Sequence, residues 1–363
     1  MLELDGSEAG GQFVRTAIAL AALEDVPVRI EGVRGARSTP GLRPQHLTAV
    51  RLLADICDAE VDGASEGSTT VTFRPNGINT GGYAVDVGTA GSLTLLFDAV
   101  LPLATRPDEP IAVTATGGTD VKWSPSLAYF RRVKLPLLRE YGLQAAVEVD
   151  RRGFYPTGGG TATLWLAPSS IGRIDLPERG STIAARVDST ETTDLAHASV
   201  AERQADTVVE AVPEIDRPDG DSDSEVDHSD HESVSDEEVP LVERTVRTVD
   251  ADSAGSAVLM RIDTEDAIVG FDALGETGKP AEDVGREAAD AAHEFLQSDA
   301  AVDRHMGDQL AVFVALAGGR VRIPSATDHV TTSVELLRTF GYDTSVEGTD
   351  AAPTLVGETA TSG

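Results

Sequence analysis

The sequence is poor in cysteine, lysine and aromatic residues: it holds one cysteine, three lysines against 26 arginines, and 4% Phe, Trp and Tyr. A single thiol excludes an internal disulfide and the stapled secreted scaffolds that depend on one. Cys57 lies in the apolar stretch LLADIC, where a free cysteine is expected to be a small core residue. No apolar run reaches the roughly 18 to 20 residues that span a bilayer. The opening MLELDG lacks the basic, apolar and small-residue order of a secretory signal. A soluble, cytoplasmic protein without a membrane partner is the expectation. Two phosphate-binding signatures are missing as well, GxxxxGK[ST] and a clear GxGxxG after the first strand. A nucleotide would need a different cradle.

Basic charge is scarce overall, with 29 Lys and Arg against 61 Asp and Glu and a net charge of −32 over 363 residues. The deficit is uneven. Residues 1–180 carry 17 basic and 21 acidic side chains, residues 181–280 carry 7 and 26, and residues 281–363 carry 5 and 14. The near balance of the front half leaves room for an anionic partner. The surplus acid elsewhere reads as halophilic adaptation, since a Debye length of about 3 Å at 1 M salt suppresses self-repulsion; an acidic mesophilic protein with a charged segment is the alternative. With 40% apolar side chains, the chain can bury one large or two moderate domains.

Helical periodicity in residues 14–23, 46–57, 91–104 and 126–142 alternates with strand-like runs at 26–33, 69–75, 84–89 and 111–118. Repeated strand and helix pairs with glycine at the joints predict an α/β fold of α+β repeats. The rhythm breaks at 181–280, where strands at 181–189, 256–263 and 267–276 and a helix at 197–212 surround the acidic run Glu214–Glu238, expected to be a disordered loop. It resumes through 283–297, 308–318, 320–325 and 331–341. The expected organisation is a large discontinuous domain (1–180 and 281–345), a small inserted α/β domain (181–280) and a flexible tail (346–363).

Chemistry-bearing residues cluster at the glycine joints. In LDGSEAGGQFVRTA (4–17), exposed N–H groups can cradle phosphate, Glu8 can hold a metal and Arg15 can reach an anion; a plain tight turn is the alternative. VRGARSTPGLRPQHL (33–47) gathers Arg34, Arg37, Arg43, Gln45 and His46, and guanidinium forks suit phosphate oxygens; a solvated turn would look the same. VGTAGSLT (87–94), GGTDVKWSP (117–125) and GFYPTGGG (153–160) are further joints. In residues 302–332, His329 follows the strand RVRIPS and precedes a helix, which places its imidazole near helix N-terminal N–H groups, a location that favours the neutral, nucleophilic form; a structural or solvated loop histidine is the alternative. His228 and His231 have ligand-like spacing, but their charge run offers no scaffold for a metal.

Taken together and in this order, DGSEAGGQ, RGARSTPGLRPQHL, VGTAGSLTLL, GGTDVKWSP, RRGFYPTGGG, DRHMGDQL and the His329 stretch resemble the RNA 3'-terminal phosphate cyclase family. The resemblance implies a large domain of repeated helix-and-sheet units with a smaller inserted domain. It implies an enzyme, a ligase that uses ATP and a divalent metal, Mg or Mn, to convert RNA 3'-phosphate ends to 2',3'-cyclic phosphodiesters through a His329-AMP intermediate. In that reading Glu8 is the metal ligand. Arg15, Arg34 and Arg37 meet phosphate, and Gln12 and Gln45 also bind the nucleotide. Asp98, Pro125, His305, Met306, Gly307, Asp308 and Gln309 form the nucleotide pocket, and a homodimer is compatible with it. The chain departs from the family pattern in a shorter opening turn, in Asp98 where glutamine is common, and in His305 where tyrosine is common. Two other readings compete: a non-enzymatic cyclase-like ribosome-biogenesis factor, and a sugar-phosphate transferase of related architecture.

Overall fold

The computed structural model describes residues 1–212, 239–349 and 353–359. Its first unit runs β1 (Leu2–Asp5), α1 (Gly11–Glu24), β2 (Val28–Glu31), α2 (Pro44–Cys57), β3 (Glu60–Asp62) and β4 (Val71–Arg74). Strands β1 and β2 are parallel, which requires a crossover such as α1. β4 lies antiparallel between β2 and β3, giving the order β1-β2-β4-β3.

The second unit repeats this plan with β5 (Gly81–Asp86), α3 (Leu93–Val100), β6 (Ile111–Gly117), α4 (Leu127–Tyr129), α5 (Leu135–Glu140), β7 (Ala145–Arg151) and β8 (Gly160–Leu166). Its sheet order, β5-β6-β8-β7, and its strand directions match the first. α4 and α5 are one helix interrupted by a π turn at Phe130–Lys134.

The third unit opens with β9 (Ile174–Leu176) and then admits a separate sheet. That sheet comprises β10 (Thr182–Thr192), β11 (Leu241–Val249), β12 (Ser256–Thr264) and β13 (Ile268–Leu274), with α6 (Val200–Ala211) and α7 (Ala281–Leu296) packed on it. The unit resumes with α8 (Arg304–Gln309), α9 (Ala311–Ala317), β14 (Gly319–Arg322), α10 (Asp328–Thr339), β15 (Asp343–Glu347) and β16 (Thr354–Glu358). Its order, β9-β14-β16-β15, repeats the other two. Three copies of one topology account for the periodicity read in the sequence, and the α+β class holds.

Within the segment 346–363, expected to be a flexible tail, Thr354–Glu358 requires correction. Thr354–Glu358 pairs with both β14 and β15, and Leu355 is fully buried. Without β16 the third sheet would lose one of its two inner strands, so even a short run such as TLVGE is held by pairing and burial rather than by its own propensity. The acidic run Glu214–Glu238, with His228 and His231, lies outside the described residues.

Apolar side chains form two clusters. The larger includes Ile18, Phe73, Phe97, Phe313, Leu337 and Leu355, drawn from all three units. The smaller includes Val187, Val208, Met260, Phe271, Ala288 and Phe295, between the added sheet and its helices. Cys57 is buried, and burial reinforced by Asp25 pushes its thiol up to about 12, in keeping with a core role. Among the described residues no helix is long and apolar enough to cross a membrane.

Candidate active site

The β14–α10 joint of the third unit faces the β1–α1 joint of the first. Thr327 caps α10, its hydroxyl accepting the Val330 N–H at 3.1 Å, which puts His329 in the first turn with an exposed side chain. Glu8, Gly10, Gln12, Arg37, His329 and Ser333 line one cleft. Gly10 is the spacer in it: a Cβ there would stand 3.2 Å from Arg37 Nη2 and 3.8 Å from His329 Cε1. Gln12 Nε2 donates to the Asp308 carbonyl at 3.4 Å and to Ser333 Oγ at 3.3 Å, tying α1 to α8 and α10. Arg37 makes no ion pair among the described residues, so its guanidinium is available to a ligand. Four residues singled out from three distant sequence blocks, Glu8, Gln12, Arg37 and His329, therefore meet.

Asp98 belongs to a second, deeper cluster. Lys134, fully buried at the end of the π turn, donates to Asp98 and, at 2.7 Å, to Gln309 Oε1. Burial holds Lys134 below its ordinary value against the pull of Asp98. Arg15 is the other cation beside this carboxylate; burial pushes its guanidinium down to about 10, with Asp98 opposing. Two cations thus make a carboxylate tolerable beside an anionic ligand. Lys134 was not singled out from the sequence, because FRRVKLP reads as a basic helical face and nothing local announces the π turn.

A third group surrounds α8. Asp303 caps it by accepting the Met306 N–H at 3.0 Å, and also accepts the Tyr129 hydroxyl at 2.6 Å and the Gly270 N–H at 3.1 Å. His305 Nε2 lies 3.3 Å from Asp272 Oδ1, and its ring meets Tyr129 edge-on at 5.2 Å. Asp272 also accepts the Ser126 N–H at 2.5 Å, which brings in the neighbouring Pro125. Burial works against the Asp272 carboxylate, but His305 and Ser126 outweigh it and hold it below the usual range. Asp308 accepts the Thr327 hydroxyl, so α8 connects the Pro125 loop to the start of the His329 helix.

Four candidates have other surroundings. The Met306 side chain is fully buried in the larger core, and Gly307 rests against Ile323 and Pro324, so a ligand would reach both through the backbone. Arg34 has φ 54° and donates from Nη1 to the carbonyls of Thr39 and Gly41, closing its own loop. Gln45 packs near Gly91 of the VGTAGSLT joint, where an added Cβ would lie 3.3 Å from its own Cβ.

His46 supports the cleft from behind. Its Nδ1 accepts the Arg43 N–H at 3.3 Å, and its Nε2 would be 1.9 Å from a Cβ on Gly11, so only glycine lets α1 start there. Burial, then Arg15, Arg34 and Arg43, push the His46 imidazole down to about 3. Because the folded value lies below the unfolded value of about 6.5, the unfolded chain binds the extra proton between these pH values. Stability is complete above about pH 6.5 and falls on acidification toward pH 3. His46→Asn, which keeps an acceptor for Arg43, is expected to flatten the melting-temperature profile over that window; profiles that run parallel would refute the assignment.

Among the described residues no group of three or more His, Cys, Asp and Glu side chains could hold a metal ion. Glu8 offers one exposed carboxylate at the cleft. One carboxylate fits a Mg-type cation held mainly by substrate phosphates and water, and does not fit an all-protein cage.

A sequence model of a family described as RNA 3'-terminal phosphate cyclase matches residues 6–345. The chain is similar to the RNA 3'-terminal phosphate cyclase of Halobacterium salinarum strain R1, at 46% identity over 96% of this chain and 97% of that one. It is similar to those of Thermococcus onnurineus, at 38% over 97% of each, and Pyrococcus furiosus, at 37% over 94% and 93%. A solved structure, the enolpyruvyl transferase NikO from Streptomyces tendae, matches at 11% identity over 98% of this chain and 65% of that one, with a TM-score of 0.27, too low to carry an argument. With the family match spanning nearly the whole sequence, and near-full-length relatives well above 30% identity, the chain belongs to the RNA 3'-terminal phosphate cyclase family.

Proposed function

We propose that this chain is a cytoplasmic enzyme that uses ATP to close an RNA 3'-phosphate into a 2',3'-cyclic phosphodiester. The observation that carries the reading is the meeting of His329, Arg37 and Glu8 around the Gly10 spacer. The neutral imidazole of His329 attacks the α-phosphorus of ATP, forming a P–N bond as the P–O bond to pyrophosphate breaks. A terminal RNA phosphate oxygen then attacks the same phosphorus and frees the imidazole. The RNA now carries an anhydride, so its 2'-hydroxyl attacks the 3'-phosphorus, loses its proton and expels AMP. The protein contributes position and charge neutralisation.

Within this reading Arg37 meets phosphate charge at the cleft, while Arg15 and Lys134 balance Asp98 deeper in. Glu8 is the protein ligand to a divalent cation, which would offset negative charge on the phosphates. His305, Asp308, Gln309 and Pro125 face the nucleoside, with Met306 and Gly307 serving through their backbone. The sheet and helices between β9 and α8 are proposed as an inserted domain.

The test is incubation of the protein with ATP, Mg and a 3'-phosphorylated oligoribonucleotide. An end that becomes resistant to phosphatase, with equal release of AMP and pyrophosphate, is expected; an unchanged end under all metal and salt conditions rejects the reading and favours a non-enzymatic relative. Arg37→Ala is expected to cost about 1.5 to 3 kcal/mol in kcat/KM, the worth of a charged hydrogen bond. Unchanged kinetics would reduce Arg37 to a solvated turn residue.

A further inference from the structure

The second unit exposes two aromatic rings that the fold does not use. Trp123 is 94% exposed and Tyr155 is 74% exposed. Trp123 also has φ 63°, a left-handed conformation that a bulky residue adopts at a cost. The loops that carry the rings are joined. Asp120 and Phe154 form a parallel bridge, and the N–H groups of Thr119 and Asp120 donate to the Gly153 carbonyl at 2.8 and 3.2 Å. Arg152 pairs with the buried Asp120 at 2.9 Å. The same frame leads to the nucleotide side of the cleft, because Ser126 at the end of the Trp123 loop is bound to Asp272, the partner of His305.

Arg131 adds charge to this surface. It is exposed and makes no ion pair among the described residues. Partial burial and the adjacent guanidinium groups of Arg132, Arg152 and Arg247 hold it below its ordinary value, with Asp188 opposing, so several arginines converge there. Arg132 pairs with Asp188 and Glu243, Arg152 with Asp120 and Arg247 with Asp188, which leaves Arg131 as the guanidinium of this group open to a ligand. General attraction cannot hold a polyanion on a protein of net charge −32, and phosphate contacts weaken as salt rises. Stacking on aromatic faces is tolerant of base sequence and supplies affinity without charge.

We propose that Trp123 and Tyr155 form a stacking platform for the nucleotides that precede the 3' end of the RNA, with Arg131 meeting their phosphate backbone. The proposal rests on the reading above in which the RNA end enters the His329 cleft. The chain has two tryptophans, so intrinsic fluorescence reports directly on the platform. Titration with a 3'-phosphorylated single-stranded heptaribonucleotide is expected to quench emission in the wild type and in Trp165→Phe, and to leave Trp123→Phe unquenched. Trp123→Ala and Tyr155→Ala are each expected to raise KM for the heptamer on the order of tenfold, narrowing its advantage over a dinucleotide 3'-phosphate. Circular dichroism of each variant checks the fold.

Quenching that persists in Trp123→Phe, a wild-type signal indifferent to RNA, or an unaltered length preference would overturn the platform. A wild type that cyclises the dinucleotide while showing one of these results overturns the platform alone. Absence of cyclisation on every substrate counts against the function reading, and the titration still decides the platform.

Discussion

His329→Ala is expected to lower RNA cyclisation by on the order of a thousandfold or more, the loss seen when a covalent nucleophile is removed from an otherwise intact site. The melting temperature should barely move. His329 is exposed in the first turn of α10, and the cap of that helix is Thr327, so the substitution empties no core and breaks no cap. Surface changes of this kind are usually worth within about 0.5 kcal/mol. Steady-state cyclisation and a thermal melt on one preparation check both halves. A variant that keeps a tenth of the wild-type rate would show that another group carries the nucleotide, and one that melts far earlier would show that His329 is structural.

Asp303→Ala is expected to do the opposite, lowering stability first and activity only as a consequence. The carboxylate is buried, and burial raises its pKa against the pull of His305 and three hydrogen bonds. Those bonds come from Tyr129 in the second unit, Gly270 on the added sheet and Met306 in α8. Removing the acceptor leaves the Tyr129 hydroxyl and the Gly270 N–H without their partner in the interior, at about 1 to 3 kcal/mol each, and removes a helix cap. A total loss of about 3 to 5 kcal/mol follows, measurable by denaturant unfolding. A loss below about 1 kcal/mol would mean that water or a neighbour replaces the carboxylate easily.

The two variants also mark what could be read in the sequence. The position of His329 between a strand and a helix was legible, but its proposed role came from the family resemblance, because a loop histidine taken alone reads as structural or solvated. Glu8 and Arg37 stood out as polar groups in glycine-rich joints, where a plain turn looks the same, and Gln12 was indicated by the resemblance alone. Asp303 and Lys134 were not legible. Each reads as an ordinary surface charge in its own segment, and its meaning comes from partners 174 or 175 residues away for Asp303–Tyr129 and Lys134–Gln309. The repeat itself was visible as rhythm, including the closing strand β4 of the first unit, but the closing strands of the other two were not. β7 and β8 merge into charged or glycine-rich surroundings, and β16 is held in place by β14 and β15. The tail was misread because composition reports the average of a segment, whereas one buried Leu355 on a paired strand decides its state.

The central claim is that His329 carries AMP. Its most direct test is to incubate the protein with α-labelled ATP and Mg in the absence of RNA, denature it, and map the label. The account predicts an acid-labile adduct on the peptide that contains His329, absent from His329→Ala and discharged from the wild type when 3'-phosphorylated RNA is added. Label on any other residue, or an equal adduct in His329→Ala, would contradict it.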